Sequence, residues 1–327
     1  MITLIKDLLN PINWVKLILN PSKFEDVLNR IFYYPGLNFK SIKSKSLKTK
    51  FIKFLITMAK KNNSFRDFFF QNVEGKSIKY DDNIVYNFSN IKNNLFYNNE
   101  FFEKLKKNGI VIIENALDQE EHKLIKKLFE ELSSNASFGK TVQGSKSKDI
   151  LIKVHNKNLD SEMQLLNISN TITKKIYGKI VKPKANYIYS KAINIPESIF
   201  PGDNNMHFDR FLPNIKLIYF PENVDLDSAP FRYALGSHKI DENYLDFFIN
   251  NDDEFFDERS NKVEIFKKNP ERKFEVNENT LVIALTNGFH GRSPFNKITN
   301  RKSLFLTYPN FNLLSLMNYR KFNLLSS

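Results

Sequence analysis

Residues 280–309 read TLVIALTNGFHGRSPFNKITNRKSLFLTYP. Two short apolar runs, TLVIALT and SLFLTYP, carry β-branched and aromatic residues and are separated by a polar segment with Gly and Pro, the pattern of two strands joined by turns. His290 stands at the exit of the first run. Arg301 lies at the start of the second, with Ser303 two residues beyond it, so in an extended chain both side chains point to one side. Working outward, ANYIYSKAINI (185–195), IKLIYF (215–220) and PFRYAL (230–235) repeat the pattern between turn residues. Many short strands without regular helices between them indicate a sandwich or barrel and argue against a doubly wound sheet.

Residues 98–134, NNEFFEKLKKNGIVIIENALDQEEHKLIKKLFEELSS, read as helix, strand, helix. Asn108-Gly109 closes the first helix and Ile110 to Ile113 form a β-branched run. Leu117, Leu124, Ile125, Leu128 and Leu132 mark the apolar side of the second helix. Residues 62–97, rich in Asn and Phe with no clean period, read as an irregular connecting segment.

The chain has 327 residues, of which 41% are hydrophobic and 14% aromatic, enough to build a sizeable core and to exclude wholesale disorder. With no cysteine, disulfides, zinc ribbons, iron–sulfur clusters and thiol nucleophiles are excluded. With only 10 glycines there is no G-x-G-x-x-G, no G-x-x-x-x-G-K-[ST] and no G-x-S-x-G, so nucleotide-loop and serine-hydrolase readings lose their support. The net charge of +13 favours an acidic partner of some kind: an anionic substrate, a membrane surface or nucleic acid.

That charge is uneven. Residues 1–61 hold 12 basic and 3 acidic residues, so +9 of the +13 sits there. Asn10-Pro11 and Asn20-Pro21 each read as an N-cap followed by proline at the first helical position, and Ile5, Leu8, Leu9, Ile12, Val15 and Leu19 recur at helical spacing. The apolar runs are broken by charged and polar residues well short of the roughly 20 needed to cross a bilayer. The start has neither the uninterrupted apolar core nor the cleavage site of a secretory signal, so the expected location is cytoplasmic. These helices either pack on the rest of the chain with their lysines solvated, or lie peripherally on an anionic membrane. Nucleic acid is the least favoured partner, because arginine is nearly absent from this segment.

Of the five histidines, His122, His155, His207, His238 and His290, two carry the chemistry. In NNMHFDRF, His207 and Asp209 are two apart, which aims both at one point from an extended segment. His290, leaving a core strand, can close a site with them. Two imidazoles and one carboxylate are the facial triad of non-haem Fe(II) oxygenases, which leaves open positions for a cosubstrate and O2. The Arg301 guanidinium can fork onto a carboxylate while the Ser303 hydroxyl adds a hydrogen bond.

In these segments, LKKNGIVIIENALDQEEHKLIKKLFEEL, then MHFDRF, DSAPFRYALGSHK and NGFHGRSPF with Arg301, the chain resembles the phytanoyl-CoA dioxygenase family of Fe(II)/2-oxoglutarate-dependent oxygenases. The resemblance covers about residues 98–310. It implies a mainly β fold with flanking helices, a double-stranded β-helix (jelly roll) at 98–315. Around it stand the basic amphipathic helical extension at 1–61, the connecting segment at 62–97 and a C-terminal tail at 316–327. It implies that His207, Asp209 and His290 bind Fe(II), that Arg301 and Ser303 hold the distal carboxylate of 2-oxoglutarate, and that Gly236-Ser237-His238 is a turn shaping the site without binding metal. The implied reaction is hydroxylation of a C–H bond of a small, anionic or lipid-linked substrate, with succinate and CO2 as coproducts. Because Asp209 is present, no coordination place is freed for halide. An iron-free jelly roll that binds a ligand is the competing expectation.

The sequence departs from the family pattern at Leu235, Phe208 and Asn277-Glu278-Asn279. Lys153, Lys191, Tyr187 and Tyr189 are expected to line the cavity by strand alternation. His122, among helix charges, is expected to face solvent, and His155 to line a pocket entrance. The acidic stretch NDDEFFDERS (251–260) reads as a solvated insertion, with a lid over the active site as the lesser alternative.

Overall fold

The computed structural model describes residues 83–134, 140–141, 150–157, 159–160, 163–192, 206–207, 214–239 and 269–308. The basic extension at 1–61, the segment from 62 to 82, Asp209, the acidic stretch at 251–260 and the tail at 316–327 lie outside them. In chain order the elements are β1 (Val85–Asn87), α1 (Phe88–Ile91), a 3-10 helix (Lys92–Tyr97), α2 (Asn99–Asn108), β2 (Ile110–Glu114), α3 (Gln119–Ser134), β3 (Lys140–Thr141), β4 (Ile150–Asn156), α4 (Gln164–Tyr177), β5 (Lys184–Ala192), β6 (Ile215–Phe220), β7 (Phe231–Ala234), β8 (Glu271–Phe274), β9 (Thr280–Leu285), β10 (His290–Arg292) and β11 (Asn300–Thr307).

The strand order is that of a jelly roll. One sheet runs β1-β2-β9-β6-β11-β5-β4-β3 and the other β10-β7-β8. An antiparallel bridge between His207 and His290 adds the segment at 207 to the second sheet beside β10. From β5 onward the chain therefore makes eight passes: β5, the 207 segment, β6, β7, β8, β9, β10, β11. The first, third, sixth and eighth lie together in the large sheet, and the second, fourth, fifth and seventh in the small one. Neighbours within this core pair antiparallel. Two facing sheets wound in this way define the double-stranded β-helix. The residues at 85–97, expected to be irregular, instead form a strand pairing parallel with β2, a short helix and a 3-10 turn.

Strand alternation divides the core in two. Val111, Ile113, Leu217, Tyr219, Leu281, Ile283, Leu304 and Leu306 pack outward against the helices, joined by Phe101, Phe102 and Leu105 of α2, Phe129 of α3 and Ile168, Ile172 and Ile176 of α4. Ile110, Ile112, Ile218, Phe220, Val282 and Ala284 face the small sheet with Phe231, Tyr233 and Phe274. Strands buried on both faces read as continuous apolar runs, which is why TLVIAL shows no alternation.

Helix boundaries follow local chemistry. Asn98 Oδ1 accepts from Phe101 N at 3.0 Å to start α2, and Gly109, at φ 81°, ends it by donating to Leu105 O. The α4 helix has no side-chain cap of its own. Glu121 of α3 supplies one, accepting from Gln164 N at 2.6 Å and Leu165 N at 3.0 Å. This helix is absent from the sequence reading because QLLNISNTITKKIY is rich in Asn, Ser, Thr and Ile, residues of weak helix propensity. Its Leu165, Ile168, Ile172 and Ile176 nonetheless form a buried stripe. On α3, Ile125 is buried, but Leu124 is 54% exposed, and Leu117 lies ahead of the helix. Among the described residues no helix is long and apolar enough to cross a membrane.

Candidate active site

His207 and His290 come together through their backbones. Each N–H donates to the other's carbonyl at 2.8 Å, a closed antiparallel pair that holds the two side chains next to each other. Their ring centres are 4.7 Å apart with planes inclined at 48°. His290 is buried, with the Phe231 ring 5.7 Å from its own. Its Nδ1 lies 2.9 Å from Gly288 O. A carbonyl only accepts, so the proton sits on Nδ1 and Nε2 carries the lone pair, the tautomer a metal ligand needs. With metal–nitrogen distances of roughly 2.1 Å, imidazoles at adjacent positions of one ion have ring centres about 4–5 Å apart. The His207–His290 pair fits that requirement. Among the described residues no third His, Asp or Glu joins them.

The anion-binding side comes from β11. Because Leu304 and Leu306 face the helices, Arg301 and Ser303 face the space between the sheets, and both are buried. Arg301 Nη1 donates to Ala229 O, while Arg301 Nε and Ser303 Oγ have no hydrogen-bond partner among the described residues. Burial, and secondly the charge of Arg292, push the Arg301 guanidinium well below its ordinary pKa. A carboxylate placed against it would reverse that shift. Arg292, also buried, donates from Nη1 to Ser190 Oγ at 3.3 Å and lies 5.7 Å from the centre of the Phe295 ring. Ile152, Val154, Ile188, Ala192, Ala229 and Phe295 form an apolar wall here.

A buried knot supports His290 from behind. Tyr233 Oη donates to Leu285 O at 2.8 Å, Phe289 N to Ser237 Oγ at 2.8 Å and Asn287 Nδ2 to His238 O at 2.8 Å. His238 donates from Nε2 to Lys106 O at 2.8 Å. Burial holds its pKa down to about 3, so it is neutral and serves as a strut. Gly236, at φ 75°, turns the chain and donates to Asn108 O, while Leu235 fills the turn-proline position as a fully buried side chain. Glycine is required at 109 and 288: a Cβ on either would lie 2.3 Å or 2.0 Å from Tyr233 Oη.

The structure thus brings His207, His290, Arg301 and Ser303 to the space between the sheets. Asp209 lies outside the described residues. The four weaker cavity candidates fall on the opposite face. Tyr187 is buried in the helix-side core against the Phe129 ring, 5.4 Å away, and burial pushes its pKa up to about 12. By alternation Tyr189 and Lys191 share its side, and Lys153 pairs with Tyr189. The inward residues of β5 are Ile188, Ser190 and Ala192, because a shift of one residue exchanges the faces of a strand. His155 pairs with Tyr187 and so also faces the helices. His122 does not face solvent: its Nδ1 donates to Tyr219 Oη at 2.6 Å, and burial lowers its pKa. Arg292 went unnoticed in the sequence. The signal was present, since it stands two residues after His290 in an extended segment, the same spacing that singled out His207 and Asp209.

No sequence-family profile matches the chain, and no curated protein matches it by sequence. Solved structures that it resembles include the non-heme alpha ketoglutarate dependent epimerase SnoN from nogalamycin biosynthesis, with a TM-score of 0.45 and 11% identity over 64% of this chain and 79% of that one. The carbocyclase SnoK from the same biosynthesis gives 0.44 and 12% over 64% and 83%. HygX from Streptomyces hygroscopicus, with nickel and 2-oxoglutarate bound, gives 0.43 and 11% over 64% and 86%. The jelly-roll assignment rests on the strand order of this chain and not on these low-similarity likenesses.

Proposed function

We propose that this protein is an Fe(II)- and 2-oxoglutarate-dependent oxygenase of the phytanoyl-CoA dioxygenase type. The observation that carries the reading is the pairing of two imidazoles across one β-bridge of the small sheet, in a jelly roll whose large sheet buries an arginine and a hydroxyl of β11 with unsatisfied polar atoms. In this reading His207, Asp209 and His290 hold the metal, and Arg301 and Ser303 receive the distal carboxylate of 2-oxoglutarate. The metal and cosubstrate, when bound, supply the oxidising chemistry that hydroxylates a substrate C–H bond and releases succinate and CO2.

The chain's own part is to position and to exclude water. Gly288 O keeps the His290 proton on Nδ1 and the ring in one orientation. The apolar wall and Phe231 lower the local dielectric, which strengthens every charged contact within. Arg301, costly to bury alone, gains most from a carboxylate and so selects a dicarboxylic oxo-acid over a monocarboxylic one. The substrate we infer is small and anionic or lipid-linked, on the strength of the +9 charge of residues 1–61, which would bring the enzyme to an anionic membrane surface from the cytoplasm.

The test is an anaerobic titration of the metal-free protein with Fe(II) and then 2-oxoglutarate, following the visible charge-transfer band. A band that the His207→Ala and Asp209→Ala variants lack supports the oxygenase. A folded wild-type protein without the band refutes it and favours a jelly roll that only binds a ligand. Sedimentation with anionic vesicles at rising salt, with and without residues 1–61, tests the membrane contact; equal binding by both chains would end it.

A further inference from the structure

We propose that the C-terminal end of α4, together with the 3-10 helix packed beside it, is a docking face for an anionic phospholipid surface. This face lies in the folded domain and is separate from residues 1–61; it rests on the reading of a peripheral membrane protein and not on the oxygenase chemistry.

Between Glu162 and Glu197 the chain has no acidic residue, and NTITKKIYGKIVKPK (170–184) carries Lys174, Lys175, Lys179, Lys182 and Lys184. Folding buries one side of this run only. Ile172, Ile176 and Tyr177 enter the helix-side core, and the helix stops at Gly178, at φ 70°. Lys174, Lys182 and Lys184 stay exposed, and Lys175 and Lys179 are half-buried.

The 3-10 helix adds aromatic rings to these cations. Lys174 Nζ and Lys175 Nζ lie 5.5 Å and 5.1 Å from the centre of the Phe96 ring, and the Tyr97 ring stands edge-on to Phe96 at 5.2 Å. Tyr97 is 76% exposed, and Ile180, two residues past the helix stop, is 59% exposed. Large apolar side chains set in water among lysines are the composition of an interfacial contact. The ring and the isoleucine enter the headgroup boundary, and the lysine stems lie along it with their ammonium groups at the phosphates.

Charge complementarity selects the partner. Lys104, Lys106, Lys123, Lys126 and Lys302 each have a carboxylate at 2.6–3.2 Å. Among the described residues the five lysines of this face have none. A patch of uncompensated cations calls for an anionic partner. The run holds no arginine, the residue that nucleic-acid recognition favours, and its exposed apolar groups suit lipid.

The test is sedimentation of the full chain at rising salt, with vesicles of mixed phosphatidylserine and phosphatidylcholine and with vesicles of phosphatidylcholine alone. Lys174→Gln, Lys175→Gln and Lys179→Gln together are expected to weaken binding to the anionic vesicles about tenfold or more, and less so at high salt. Tyr97→Ser with Ile180→Ser is expected to weaken it by about five- to tenfold at every salt concentration, because burial of apolar area is not screened. Lys123→Gln, Lys127→Gln and Lys273→Gln remove the same charge from exposed positions elsewhere and should stay within about twofold of wild type. Thermal unfolding midpoints equal to wild type are expected for all of them, since none of these side chains is in the core. A loss in the α4 triple no larger than in the control triple overturns the proposal, because total charge and not this face would then be binding. Equal binding to neutral vesicles, or tighter binding to a DNA duplex than to vesicles, also overturns it. Lys43→Gln, Lys45→Gln and Lys48→Gln report on residues 1–61 separately: a loss there alone overturns the α4 face and leaves that contact standing, whereas a loss in the α4 triple alone supports the face without it.

Discussion

Replacing Gly288 with alanine tests whether the knot behind His290 is as tight as its contacts indicate. The added Cβ would lie 2.0 Å from Tyr233 Oη, 2.7 Å from Tyr233 Cζ and 2.9 Å from the backbone nitrogen of His238. Tyr233 is fully buried and its hydroxyl is tied to Leu285 O at 2.8 Å, so neither the ring nor the turn can yield alone. Overpacking of this kind costs about 1–3 kcal/mol. Losing the buried tyrosine hydrogen bond adds about 1–3 kcal/mol. Together they give about 2–6 kcal/mol, and at about 2–4 °C per kcal/mol for a domain of this size the midpoint falls by roughly 5–20 °C. Because Gly288 O orients the His290 ring, metal affinity is expected to fall about tenfold or more with it. Thermal unfolding by circular dichroism measures the first effect and calorimetric Fe(II) titration the second. A double-mutant cycle with Tyr233→Phe, which removes the nearest atom, should show a coupling of about 1 kcal/mol or more. A midpoint within about 1 °C of wild type, or an additive cycle, would refute the reasoning.

Two further outcomes follow from the described contacts. Asn279 has φ 60°; its Oδ1 accepts from Leu117 N and Tyr219 Oη, and its Nδ2 donates to Leu117 O. Asn279→Ala should cost about 2–4 kcal/mol in denaturant unfolding, and Asn279→Gly less, because glycine relieves the backbone without restoring the bonds; a glycine variant as stable as wild type would show that the bonds contribute nothing. His238 has a folded pKa of about 3, below its unfolded value of 6.5, so the stability carried by its neutral form is complete above 6.5 and drains away as pH falls toward 3. His238→Gln, keeping a donor toward Lys106 O, should flatten the stability–pH profile over that window, and an unchanged slope would exclude His238 as its source.

Much of the site was legible because it obeys short-range rules. His290 at a strand exit, and Arg301 with Ser303 two residues apart, need only the period of an extended chain to share a side. The strands β2, β5, β6, β7, β9 and β11 were legible as apolar runs between turn residues, and the helix from Asn99 to Asn108 by its Asn98 start and Gly109 stop; β1, β3, β4, β8 and β10, short or mixed with polar residues, were not. What was hidden depends on partners far away in the chain. The α4 helix is held by a cap from Glu121, 43 residues earlier, and by burial of a stripe that propensity disfavours. The partner of His122 is Tyr219, 97 residues on. Arg292 acquires meaning only when β10 lies against β5 and sets it on Ser190, across 102 residues.

The sequence by itself determined those strands that are long apolar runs, which side chains share a side within one strand, and which chemistry those residue types can support. Only the tertiary structure decided which side is the inside. Alternation reports the contrast between a buried face and a wet one, and β5 and β11 are covered on both faces, by helices on one and by the small sheet on the other. With apolar and polar residues buried on each side, the pattern of β5 cannot say whether Tyr187 or Ile188 faces the cavity; register with β11 and contact with Arg292 settle it.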